Sequence, residues 1–174
     1  MTRRPIESRV TPARTGEDHH EDALRSAFAA WASGVTVITA RDDDGRVYGM
    51  TVAAFTPVSI DPPLALACVH NDAPLASVLD TGVLCAVSML SEGQKRAATT
   101  FADRFTVPGD LLTHDDLPVV IDAAVVLVAS VHAVHDGGDH RIVVLRIAEA
   151  HTRSDDLPPM LYWQRRYRRI APGD

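Results

Sequence analysis

The run at 125–152, "VVLVASVHAVHDGGDHRIVVLRIAEAHT", constrains the fold more than any other stretch. Two long segments rich in β-branched residues flank Asp136-Gly137-Gly138-Asp139. Branching at Cβ suits a pleated surface better than a helix, and Gly-Gly frees the backbone for a tight reversal. A hairpin of this length needs further strands to make a core. Candidates follow the same pattern: "VTVITA", "LALACV" and "VLCAVSML" are apolar and short. "VYGMTVAAFTPVSI" reads as one long strand, bent at Gly49 or Pro57, entered through the turn "RDDDGR". Five or six long strands with no strand–helix alternation imply a mainly β fold, an antiparallel barrel with a few peripheral helices.

In "EDALRSAFAAWASG", Leu24, Ala27, Phe28 and Trp31 recur at helical spacing and form one apolar face. Acidic residues open this helix and Gly34 follows it. "PLASVLDTG" has proline in its first turn and glycine past its end, as a short helix would. "SEGQKRAATTFAD" reads as a helix opened by Ser91. Residues 1–20 have no periodicity and read as a tail or arm; residues 21–174 read as one domain.

Composition narrows the function. Aromatics are only 5%, so Val, Ala, Leu and Ile must fill the core. A net charge of −6 argues against a general nucleic-acid partner, with "RRYRR" at 165–169 a local exception. Arginines alternating with an aromatic suit an anion beside a flat ring, or simply cover an acidic surface. Cys68 and Cys85 sit in apolar runs without C-x-x-C spacing and read as buried free thiols in a cytoplasmic protein. No apolar run approaches the ~20 residues of a membrane span, and no signal core is present. The eight histidines form no recognisable metal-ligand set, and no G-x-S-x-G, G-x-G-x-x-G or P-loop occurs.

"GVTVIT", "GMTVAAFTPVSIDPPLALACV", "SEGQKRAATTFADRF", "GGDHRIVVLRI" and "LYWQRRYR" stand in order across about 22–170. Together they resemble the short-chain flavin reductase family, the small reductase partners of two-component flavin-dependent monooxygenases. The resemblance implies an antiparallel split β-barrel (the FMN-binding split barrel) and a homodimer. It also implies reduction of FMN or FAD by NADH or NADPH, with reduced flavin passed to a separate monooxygenase.

Site residues follow from the same resemblance. The flavin ring is expected along Met50, Thr51, Val52, Ala53 and Ala54, with Thr51 and nearby backbone N–H groups as donors. The ribityl-phosphate is expected at Cys68, Val69, His70, Asn71 and on to Pro74, with Ser77, Ser88 and Gln94 nearby. His140 is the expected catalytic residue beside the nicotinamide, and Arg165 to Tyr167 the segment closing over the nucleotide. Ala53 and Ala54 replace residues that often carry hydroxyls in the family, so contacts there are expected from backbone alone. Leu145 and Arg165 stand where glycines are common, and Ser88 where asparagine is usual. Read without the resemblance, Thr51 is a strand threonine, His140 a turn residue, Asn71 a helix cap and Gln94 a helix-surface residue. A non-catalytic flavin- or haem-binding split barrel is the alternative function.

Overall fold

A computed structural model describes residues 17–103, 107–113, 116–153 and 157–171. Helix α1 spans Glu17–Ala29, starting inside the stretch read as tail. Strands β1 (Ser33–Gly34), β2 (Thr36–Arg41), β3 (Val47–Val52), β4 (Phe55–Ser59), β5 (Leu64–His70) and β6 (Leu84–Met89) follow. A second helix, α2 (Lys95–Thr100), precedes β7 (Val125–Gly137), β8 (His140–Thr152), β9 (Leu161–Trp163) and β10 (Arg166–Arg168).

Seven strands form an antiparallel sheet in the order β3-β2-β6-β7-β8-β5-β4, and β1-β9-β10 form a second, smaller one. β3 and β4 end opposite sides of the large sheet, yet only Ala53 and Ala54 separate them in the chain. Two intervening residues span no more than about 11 Å between Val52 and Phe55. The sheet must therefore curl until its two sides nearly meet, leaving a split at Ala53-Ala54. This differs from the single bent strand expected over the segment. The break falls at Ala53-Ala54 because the chain changes neighbours there, from β2 to β5.

Alternation sets the inside. In β5, Ala65, Ala67 and Val69 are buried and the residues between them are half-buried. Ile38, Val52, Val87, Val131, Val143 and Leu145 fill the barrel with them, and Leu75 and Leu79 close it. A second core lies on the outer face of β2 and β3, where Val37, Ala97, Ala98, Phe101 and Met160 pack. β2 is consequently buried on both faces. Gly49 is required there: a Cβ would stand 2.8 Å from Phe101 Cε1.

Three local readings are corrected. "PLASVLDTG" is a single 3-10 turn, Pro74–Ser77, because Leu75, Ala76 and Leu79 are drawn into the barrel end. Helix formation after Ser91 begins with a 3-10 turn, Glu92–Gln94, under a Ser91/Gln94 capping box. Cys68 is half-buried on the outer face of β5, one position out of phase with Ala67 and Val69; Cys85 is buried inside, where desolvation pushes its thiol up to about 12.

Candidate active site

The split opens into a cleft of about 560 Å³. Ala53, Ala54 and His140, the first residue of β8, all line this cleft. Tyr162 and Arg165 come from the small sheet, Arg25 and Phe28 from α1, with Trp31 just beyond it. A smaller chamber of about 190 Å³ adjoins it through Ala53 and Tyr162 and is lined by Thr51 and Tyr167.

Ala53 and Ala54 lie outside both ladders. The Ala54 carbonyl accepts the Cys68 N–H at 2.9 Å, while the Ala53 and Ala54 N–H groups have no ladder partner. Unpaired strand-end donors in a cleft fit the acceptor edge of a planar heterocycle. On this ground the residues present suit a flavin.

Thr51, by contrast, has spent its donors. Its N–H donates to the Phe101 carbonyl at 2.9 Å and its hydroxyl to the Ala98 carbonyl at 2.8 Å. Those carbonyls belong to the end of α2, where no intrahelical donor follows. In this structure Thr51, the expected flavin donor, ties β3 to α2. Met50, Val52 and Val69 turn their side chains into the barrel, so only their backbone faces outward.

His140 is held from three directions. Its Nδ1 is 2.6 Å from Asp139 Oδ1, which puts the proton on Nδ1 and leaves Nε2 for a ligand. The His70 ring meets it edge-on, with centroids 5.1 Å apart at 72°. Asn71 fixes the turn beneath, its N–H donating to the Asp139 carbonyl at 3.0 Å and its Nδ2 to the Gly138 carbonyl at 2.9 Å. Gly138 itself sits at φ 78°, the left-handed backbone this reversal needs. The hydrogen bond from His140 holds the Asp139 carboxyl below its ordinary range.

The small sheet carries the other wall. Trp163 pairs with Arg166, so Gln164 and Arg165 make a two-residue turn, with φ of 49° and 57°. Such turns favour Asn and Gly, and a longer side chain there is strained. α1 braces it: the Gln164 N–H donates to the Ala29 carbonyl at 2.9 Å, and Trp163 Nε1 to the Ala30 carbonyl at 3.2 Å. Among the other arginines of the basic run, Arg168 stacks over the Trp163 ring at 5.6 Å and Arg169 lies 4.0 Å from Glu92. Tyr167 reaches α2, its hydroxyl donating to the Ala98 carbonyl at 3.0 Å; burial raises its phenol pKa.

The structure thus gathers Ala53, Ala54, His140 and Arg165 in one cleft and places Thr51 and Tyr167 in the chamber beside it. It does not bring Ser88 or Gln94 there. Ser88 is buried in the outer core, its Oγ accepting the Val120 N–H at 3.1 Å. Gln94 is consumed by its capping box and by the Ile121 carbonyl, 2.9 Å from Nε2. Ser77 Oγ donates back to the Pro74 carbonyl at 2.8 Å. Arg25 and Tyr162 also line the cleft without standing among the expected site residues, and Phe28 and Trp31, expected only as an apolar helix face, lie exposed beside it. The available signal was Tyr162 itself, an aromatic inside the "LYWQRRYR" motif.

The chain's residues 28–171 match the model of the flavin reductase like domain. It is 39% identical over 152 residues to the reductase component of 4-hydroxyphenylacetate 3-monooxygenase from Thermus thermophilus, covering 87% of this chain and 97% of that protein. An NADH-dependent FAD reductase of Streptomyces globisporus is 35% identical over 170 residues, 92% of each chain. The chain spans only 44% of the length of a probable flavin reductase from Rhizobium meliloti, at 38% identity. Among solved structures, the NADH:FAD oxidoreductase of Streptomyces globisporus in complex with NAD and FAD fragments superposes with a TM-score of 0.79 at 33% identity, over 92% of this chain and 99% of that one. With the match running from the end of α1 through β10, the chain belongs to the flavin reductase like domain family.

Proposed function

We propose that the protein is an NAD(P)H:flavin oxidoreductase that reduces FMN or FAD and hands the reduced flavin to a separate monooxygenase. One observation carries this reading: the split places unpaired backbone donors at Ala53-Ala54 and the His140 side chain in a single cleft. A flavin held at Ala53-Ala54 would supply the hydride acceptor for NAD(P)H, chemistry that does not call on a side-chain nucleophile. The chain's own task is to position and to exclude water. The Ala53 and Ala54 N–H groups hold the ring edge, backed by a barrel that cannot slide. His140 Nε2 accepts from the nicotinamide carboxamide, its proton kept on Nδ1 by Asp139. Tyr162 walls off the cleft, and Arg165 closes over the nucleotide. His70 and Asn71 support the phosphate end of the flavin and steady the His140 turn.

The working unit in this reading is a cytoplasmic homodimer. The apolar face of α1 supports a second copy, since Phe28 and Trp31 are 74% and 80% exposed in the single chain. The relatives support the oxygenase partner, since one is itself a monooxygenase reductase component.

The test is a steady-state assay crossing NADH and NADPH with FMN and FAD. Nucleotide oxidation that depends on added flavin is the expected result. No oxidation in any of the four combinations sinks the reading. Sedimentation velocity reports the dimer, and a single monomeric species refutes that part.

A further inference from the structure

We infer that Arg25 and Arg165 together form a phosphate clamp for the pyridine nucleotide, masked by Glu21 in the free protein. The inference rests on the oxidoreductase reading and adds α1 to the site. Arg25 lines the same cleft as His140 and Arg165 in a chain whose net charge is −6. The two guanidiniums are carried on one braced wall. α1 and the residue after it accept hydrogen bonds from the β9–β10 turn through the Ala29 and Ala30 carbonyls.

A second observation points the same way. Arg165 keeps a long charged side chain at φ 57°, where glycine would carry no strain. Strain retained at a cleft is a mark of function. The guanidinium fork suits phosphate oxygens, which it can engage through two parallel hydrogen bonds.

In the free protein Arg25 is not idle. Its Nε donates to Glu21 Oε1 at 2.9 Å, and its Nη2 donates to the same oxygen. This is an exposed ion pair, one turn apart on α1, which a doubly charged ligand can displace cheaply. Asp139 adds a weaker attraction for Arg25 from the His140 side. Glu21 therefore competes with the nucleotide for one fork, and removing either member of the pair should move affinity in opposite directions.

The experiment is an equilibrium titration of NADH and NADPH, read by nucleotide fluorescence, on the full chain and four variants. Arg25→Gln is expected to weaken nucleotide binding about 5- to 20-fold. Arg25→Lys, which keeps the charge and loses the fork, should fall between it and the wild type. Glu21→Gln should tighten binding about 2- to 3-fold. Arg96→Gln, which removes the same charge from α2 outside the cleft, should change nothing. FMN titrations serve as the control and should be unmoved in all four.

Equal loss for both nucleotides assigns Arg25 to the shared diphosphate, and a larger loss for NADPH assigns it to the 2′-phosphate as well. Wild-type affinity in Arg25→Gln, or a weakening in Glu21→Gln, overturns the clamp. The titration needs no turnover, so a protein that binds nucleotide without oxidising it refutes the proposed reaction and leaves the clamp's own test intact.

Discussion

The carbonyl of Ala98 carries a prediction that can be worked through in numbers. It lies near the end of α2, fully buried, and accepts from Thr51 Oγ1 at 2.8 Å and from Tyr167 OH at 3.0 Å. Two strands distant in sequence thus share one acceptor that the helix leaves unsatisfied. Thr51→Val and Tyr167→Phe each remove a hydroxyl and keep most of the shape. Either change alone leaves the carbonyl one partner and should cost about 0.5–1.5 kcal/mol.

The double variant orphans the buried carbonyl and adds the desolvation penalty of about 1–3 kcal/mol. The two changes should therefore be more than additive by about 1–3 kcal/mol. Urea unfolding of all four proteins measures the coupling directly. Thermal melts should agree, at about 2–4 °C per kcal/mol for a chain of this size. Additivity within about 0.3–0.5 kcal/mol refutes the shared acceptor. That result would mean water from the adjoining chamber satisfies the carbonyl once both hydroxyls are gone.

Three further outcomes are expected. Gly49→Ala forces a Cβ against Phe101 Cε1 and Cδ1, at 2.8 and 3.1 Å, and should destabilise by about 1–3 kcal/mol; an unchanged urea midpoint would show that Phe101 can turn aside. Asn71→Ala loosens the Gly138-Asp139 turn and should lower kcat by roughly tenfold with a loss of stability near 1 kcal/mol; full kcat would separate Asn71 from His140 positioning. Asp139→Asn removes a carboxyl whose folded pKa is depressed, so the pair's stabilisation is present above the ordinary 3.8 and lost as pH falls through the lowered value. The stability gap between wild type and Asp139→Asn should accordingly close as pH falls through that lowered value; a gap that widens in acid contradicts the pairing.

Local rules predicted what local forces build. The strand at Leu64–His70 and the reversal at Gly138 were legible because neighbouring residues decide them. Ser91 opening the segment before α2 was legible as well, while its capping partner Gln94 is recognisable only from the fold. Where long-range partners decide, the sequence is silent. Nothing in Ala53-Ala54 announces a change of neighbour from β2 to β5. Thr51 is an ordinary strand threonine until α2 arrives beneath it with two unsatisfied carbonyls. Cys68 looks like its apolar neighbours, but the alternation sends it outward. Arg25 reached the cleft through backbone contacts between α1 and the β9–β10 turn, which no spacing in the sequence records.

The split at Ala53-Ala54 also bears on how the protein survives without its ligand. A sheet that stops short of closing exposes rows of unpaired N–H and C=O groups, the usual template for edge-to-edge aggregation. In the proposed reading that unfinished seam is the flavin groove, and flavin would then act as the missing neighbour of β3 and β4. Protein stripped of flavin should accordingly cloud at a lower temperature than the loaded form. The cell's flavin supply would then govern the solubility of the enzyme as well as its turnover.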